Sequence, residues 1–301
     1  MRNSIIGSIL GLAICVSSAV ADEPAPKKLV IVCSTTQVTD FVRQVVGDRC
    51  EVHGILGPGV DPHLYRTRPQ DPKLVATADI CFDNGLHLEG KDWMRNLAES
   101  AGKPIVSCAT GIEPLKLESD GQPYTDPHAW FSPKNASIYV RNILKEVSQR
   151  DPDHKAEYEA RAKLYLDQLR VLNAWIVEQV NVIPPQKRVL VTSHDAFQYF
   201  CQAYGFKSQA PTGWSTDQEI GGGATGERIR KTAQAIRDQG IKAIFIETSV
   251  NPKMIEEIAI EAGIKVGGKL YSDSMGAPGT GGETYLGMMR ENVLTIVEAM
   301  K

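Results

Sequence analysis

The sequence predicts an α/β protein, two parallel-sheet lobes joined by one long rigid helix. Three observations carry that prediction. Short apolar runs, such as Leu29 to Cys33 and Ala243 to Glu247, alternate with helical patterns in both halves of the chain, as strands buried on both faces of a parallel sheet do. Between the halves, apolar residues from Tyr158 through Tyr165, Leu169 and Leu172 to Val180 keep helical spacing, with no breaker before Pro184-Pro185. Such a helix would be ~40 Å long at 1.5 Å per residue, the width of a domain. Lastly, Asp-Pro-His occurs twice, at Asp61-Pro62-His63 and Asp126-Pro127-His128, and reads as two halves of one site.

The elements follow in order. Met1-Arg2-Asn3, an apolar run from Ile5 to Val16, and Ala19-Val20-Ala21 form a secretory signal peptide, residues 1–21, too short in its apolar core to span a bilayer. Leu12-Ala13-Ile14-Cys15 faintly resembles a lipid-attachment box, but Ile14 is bulky where a small residue belongs, so a lipid anchor ranks second. Residues 22–28 are a Pro/Lys tether. The first lobe, residues 29–150, starts with the strand Leu29 to Cys33, a helix through Val38, Phe41 and Val45 ended by Gly47, and a strand from Cys50 to Ile55. Helices across Leu74 and across Trp93 flank the strand Ile80 to Asp83, and Ile105 to Cys108 is the next strand. Gly111 to Thr125 reads as a polar loop, and Ser132-Pro133 opens a helix to about Val147.

Residues 151–183 are the linking helix and 184–301 the second lobe. There Val189 to Thr192, Ala243 to Glu247 and Lys269 to Tyr271 read as strands, and glycines 205, 240 and 263 stop helices in the way helix C-termini favour. Gly221-Gly222-Gly223 reads as a flexible loop. The last helix carries Tyr285, Met288, Met289, Val293 and Ile296 on one face.

Composition excludes some functions. The 301 residues carry a formal charge of -3 with no basic stripe, so nucleic acid is not an expected partner. After the signal peptide, Cys33, Cys50, Cys81, Cys108 and Cys201 remain, an odd number without a Cys-x-x-Cys. Cys33, Cys81 and Cys108 sit in apolar runs and read as buried thiols; an oxidising compartment permits one bridge whose pairing the sequence leaves open.

The chemistry lies in the histidines. Proline fixes its own φ and keeps the preceding aspartate extended, so each Asp-Pro-His projects its imidazole from a stiff loop. Imidazole is the commonest metal ligand, and a nearby carboxylate can hold its other ring nitrogen. Ligands of open α/β sheets collect at strand C-termini. In the second lobe His194 and Asp273 stand there, each just after a strand. With His63 and His128 they form a three-histidine, one-carboxylate set, suited to tetrahedral Zn²⁺ or, with a bidentate carboxylate, Mn²⁺.

Several motifs resemble the solute-binding proteins of zinc and manganese ABC transporters, in order from Leu29 to the C-terminus. They are Gly59-Val60-Asp61-Pro62-His63, Asp83-Asn84-Gly85-Leu86-His87-Leu88-Glu89, Asp126-Pro127-His128-Ala129-Trp130-Phe131, Ser193-His194-Asp195-Ala196-Phe197, Ser272-Asp273-Ser274-Met275-Gly276 and Tyr285-Leu286-Gly287-Met288-Met289. The resemblance implies a metal held between the lobes by His63, His128, His194 and Asp273, a monomer outside the cytoplasm, delivery to a membrane-embedded ABC permease, and no catalysis. Zn²⁺ or Mn²⁺ would be cargo. The chain lacks the histidine-rich loop of dedicated zinc members and has His194 where many manganese members have glutamate.

Other features are weaker. His53 and His154 read as structural or surface residues, and His87 as a hydrogen-bonding one. Gly85-x-x-x-x-Gly90-Lys91 imitates a phosphate loop but has Asp92 in place of the magnesium-holding hydroxyl. Consecutive Ser193-His194-Asp195 cannot readily order itself as a hydrolytic triad. The alternative function is a secreted zinc-dependent hydrolase with Asp273 as base, which requires an open metal position; another is a two-lobed binder of a chelated metal, which requires a wider cleft.

Overall fold

Strand β1 (Val30–Cys33) lies between β2 (Glu51–Gly54) and β3 (Ile80–Asp83), and β4 (Ile105–Ser107) completes a four-stranded sheet of order β2-β1-β3-β4. Every pairing is parallel. The computed structural model describes residues 28–119, 122–208 and 226–301. The signal peptide, Cys15, most of the tether and Gly221-Gly222-Gly223 lie outside the described residues.

Alternation along the strands explains their uninterrupted hydrophobicity. Ile31, Cys33, Ile80 and Phe82 face one core cluster, with Phe41 and Val45 of α1 (Thr36–Val46) and Tyr139 of α4 (Pro133–Arg150). Val32 and Cys81 face the opposite cluster, with Val75 of α2 (Asp71–Thr77) and Met94 of α3 (Trp93–Ser100). Each fully buried side chain of this size contributes roughly 1.5–3 kcal/mol relative to exposure.

The second lobe repeats the scheme. Strand β7 (Val189–Leu190) pairs with β8 (Lys207–Ser208), and β9 (Ala243–Glu247) with β10 (Lys265–Leu270), again parallel. Phe245 donates its N–H to the Val191 carbonyl at 2.9 Å and so joins the pairs. Ile244 and Ile246 pack towards α7 (Gly226–Asp238) and α8 (Lys253–Ala262), whereas Phe245 and Leu270 join the large cluster that includes α9 (Tyr285–Met300). Helix α6 (Gln198–Tyr204) ends at Gly205 with φ 70°, and α8 at Gly263 with φ 68°, positions where any side chain would be strained.

Helix α5 (Lys155–Val180) has 26 residues. It starts after a 3₁₀ turn at Pro152–His154. Its buried stripe from Tyr158 to Val180 belongs to the cluster that also contains Phe41 and Tyr285, so the linking helix is core to both lobes. Helix α9 is anchored to the first lobe at its start. Tyr285 donates its N–H to Asp40 Oδ2 at 3.0 Å and its hydroxyl to the Trp130 carbonyl at 2.6 Å. No described helix is long and apolar enough to cross a membrane.

Three local expectations are corrected. Gly111 to Thr125 is not simply a polar loop, since β5 (Lys116–Ser119) and β6 (Gln122–Thr125) pair antiparallel within it. Its pairing is two-stranded and its strands are short, so little hydrophobic periodicity marks it. Strand β7 ends at Leu190 rather than Thr192, where the chain leaves for the site. Strand β10 begins four residues before Lys269, because Gly267 and Gly268 interrupt its apolar pattern without ending its pairing. Cys33, Cys50, Cys81, Cys108 and Cys201 are all buried free thiols.

Candidate metal centre

The four sequence-predicted ligands converge. His63 comes from the loop after β2, His128 follows β6, His194 follows β7 and Asp273 follows β10. Their candidate ligand atoms lie within 4.8 Å of one another. His128 Nε2 is 3.2 Å from His63 Nε2 and 3.4 Å from His194 Nε2. Asp273 straddles the histidines, with Oδ1 3.2 Å from His128 Nε2 and 3.9 Å from His63 Nε2, and Oδ2 3.2 Å from His194 Nε2. Tetrahedral ligands at zinc distances of roughly 2.0–2.1 Å stand about 3.3 Å apart. Most of these separations match that edge, and the longer one leaves room beside Asp273.

Local structure fixes the rings. Asp126 Oδ1 accepts the His128 backbone N–H at 2.9 Å and lies 2.7 Å from ring Nδ1, which leaves Nε2 facing the cluster. Asp61 does only the first of these, accepting the His63 N–H at 2.7 Å. Glu247, the last residue of β9, accepts the His194 N–H at 2.9 Å through Oε1. Its Oε2 stands 2.5 Å from His194 Nδ1 at an angle poor for a straight hydrogen bond. The function of Glu247 is absent from the sequence reading. Its signal is a carboxylate ending a five-residue run in which every residue is buried.

The Asp273 loop is fastened to the first lobe. Gln37 donates to the Ser272 carbonyl at 2.9 Å, Met275 donates its N–H to Thr36 Oγ1 at 2.9 Å, and Gly59 donates its N–H to Ser274 Oγ at 2.8 Å. At the mouth, Tyr124 donates to Asp195 Oδ2 at 3.1 Å. A cavity of about 350 Å³ opens there, with His63, His128 and His194 on its inner wall and Leu86, His87, Tyr124 and Asp195 further along it.

Without an ion the cluster holds protons. Burial disfavours charge on His128, but Asp126 and Asp273 outweigh it and raise the imidazole to about 9. Burial likewise opposes charge on His194, and Glu247 and Asp273 push it well above its ordinary value. Burial lowers His63 to about 3. Burial would raise Asp273, yet His194 and His128 hold it well below the carboxylate range. Asp273 Oδ1 is buried without a well-formed hydrogen bond. A desolvated carboxylate amid three imidazoles fits a divalent cation, which would replace those protons.

The remaining candidates separate from this cluster. His53 lies in β2 beside Glu51 at 2.8 Å. His154 contacts Asp151 at 2.8 Å in a 3₁₀ turn. His87 is exposed, 3.5 Å from Asp92, and reaches the cavity but not the four-residue cluster. Ser193 Oγ accepts the Glu247 N–H at 2.9 Å, an arrangement that holds β9 rather than a nucleophile.

Comparison with known proteins gives a single answer. A family model described as ZnuA, zinc-uptake complex component A, periplasmic, matches residues 31–299. The chain belongs to this family. It is therefore a solute-binding component of a metal ABC transporter and not an enzyme, and the hydrolase alternative is set aside. The chain is 36% identical over 312 residues to the manganese-binding lipoprotein MntA of Bacillus subtilis, covering 100% of both chains. It is 31% identical to the manganese ABC transporter substrate-binding lipoprotein PsaA of Streptococcus pneumoniae, covering 96% of this chain and 94% of that one. The solved periplasmic zinc-binding protein TroA of Treponema pallidum matches with TM-score 0.83 and 32% identity, over 91% of this chain and 99% of that one. A manganese-bound periplasmic protein from Candidatus Liberibacter asiaticus matches with TM-score 0.80 and 29% identity, over 91% and 100%.

Proposed function

We propose that His63, His128, His194 and Asp273 bind one divalent transition-metal ion, zinc or manganese, which the protein delivers as a monomer to a membrane-embedded ABC permease for uptake. The observation that carries this reading is the convergence of four buried donors within 4.8 Å. The two lobes supply two ligands each, so loading and lobe contact are coupled. Three imidazoles favour zinc over manganese along the Irving-Williams order, whatever the cell supplies. The relatives named for manganese and the neighbour named for zinc support both as cargo.

The protein works outside the cytoplasm on this reading, released by cleavage after Ala21 or anchored through Cys15. The relatives named lipoproteins give the anchor more weight than its imperfect sequence box does. Intact mass of the mature protein distinguishes the two.

Titration calorimetry of metal-free protein with Zn²⁺ and with Mn²⁺, beside elemental analysis of protein from its native compartment, tests the function. One ion per chain is expected, with zinc tighter in the calorimeter. Failure to bind either ion overturns the proposal; manganese in native protein despite tighter zinc binding means that supply selects the cargo.

A further inference from the structure

Between β3 and α3, a short segment touches both Asp-Pro-His loops. Asn84 is buried and uses its side chain fully. Its Nδ2 donates to the Pro127 carbonyl, one residue before His128, at 3.0 Å and to the Gly85 carbonyl at 2.8 Å, while Oδ1 accepts the Tyr139 hydroxyl at 2.6 Å. Six residues on, Gly90 lies directly under His63. A Cβ built there would collide with the His63 carbonyl oxygen.

The span between these contacts is held rigidly. Buried Glu89 accepts the Asn84 N–H at 2.7 Å and the Ser34 hydroxyl at 2.6 Å through one oxygen, and Leu88 is fully buried. Leu86 and His87 adopt φ of 56° and 65°, left-handed values that are unfavourable for residues with side chains. Such conformations persist where surrounding contacts over-determine them, and they collect at functional sites.

We propose that Asn84–Gly90 is a spacer that fixes the His63–His128 separation and thereby sharpens the preference for zinc over manganese that the three imidazoles give the site. The inference rests on the metal-binding reading above. Asn84 and Gly90 are positioning residues, acting through the two ligand loops. The 3.2 Å between the two Nε2 atoms suits short bonds to a four-coordinate ion. Manganese accepts more ligands and favours oxygen donors, so it depends less on this one spacing.

The test is competition titration of the metal-free full-length mature protein with Zn²⁺ and Mn²⁺ against a chelator, for the parent, Asn84→Ala, Gly90→Ala and Tyr139→Phe. Asn84→Ala releases the His128 arm and Gly90→Ala displaces the His63 arm. Each is expected to weaken zinc about tenfold to a hundredfold, as loss of outer partners of metal ligands does. Manganese affinity should change much less, and the absorption bands of the Co²⁺-loaded protein should shift. Tyr139→Phe keeps the Asn84–Pro127 bond and should lower melting temperature with the zinc-to-manganese ratio intact.

Equal weakening of both ions overturns the spacer, as does an unchanged ratio in Gly90→Ala, which reads the same quantity if Asn84→Ala fails to fold. A ratio that falls as far in Tyr139→Phe as in Asn84→Ala also overturns it, because selectivity would then follow stability. A parent that binds neither ion overturns the functional reading together with the spacer, whereas a binding parent with an unmoved ratio overturns the spacer alone.

Discussion

Glu247 Oε2 lies 2.5 Å from His194 Nδ1, on the side of the ring opposite the nitrogen that faces Asp273. The glutamate therefore orients the His194 ring without belonging to the four-residue cluster. Glu247→Ala should weaken Zn²⁺ by about tenfold to a hundredfold, measured by chelator competition. Unchanged affinity would show that backbone alone aims His194.

Asp273 is the one anionic member of the cluster and bridges histidines from both lobes. Asp273→Ala should cost more than the loss of an outer partner, over about a hundredfold in affinity, with helical circular dichroism retained. Parental affinity in this variant would refute the four-donor set.

The pH dependence of the metal-free and loaded proteins should run in opposite directions. An unfolded histidine titrates near 6.5, and folding raises His128 to about 9. Its protonated form thus stabilises the metal-free protein fully below about pH 6.5, and that contribution is lost as pH rises through about 9. Metal must displace the same proton, so affinity should increase over that window. Melting curves of the metal-free protein from pH 6 to 10 and chelator competition at the same pH values check both signs; a metal-free melting temperature rising through the window contradicts the assignment.

The Tyr124 hydroxyl joins the first-lobe hairpin to Asp195, the residue after His194, at the cavity mouth. Tyr124→Phe removes this bond and keeps the ring. Metal release should quicken severalfold while association changes little, the usual division when a contact of the closed state is lost. Stopped-flow measurement of both rates decides it, and unaltered release would mean that the bond does not restrain opening.

Both halves of the fold were legible because strands buried on two faces must be apolar throughout, as Ile80 to Phe82 and Ala243 to Ile246 are. The four candidate donors that converge were legible because short-range chemistry marks them: a proline-stiffened loop for His63 and His128, a strand end for His194 and Asp273. Their supports were not. Gln37 reaches Ser272 across 235 residues and Thr36 reaches Met275 across 239, and no local pattern encodes such a meeting. Glu247 could have been found, since a carboxylate closing a buried strand needs a partner. The hairpin of β5 and β6 escaped because Lys116 and Glu118 lend its first strand a loop-like composition.

The buried thiols bear on how such a chain matures. Burial raises Cys81 to about 11 against the pull of Lys103, and burial with Cys33, Asp83 and Glu89 keeps Cys108 well above the ordinary thiol range; burial likewise carries Cys201 to about 12. Thiols so held stay protonated, and the protonated form is a poor nucleophile and a poor ligand for soft cations. In the folded protein these three buried thiols are therefore poor partners for cross-linking and poor competitors of the histidines for a metal ion. In the unfolded chain, before the core closes over them, they have no such protection.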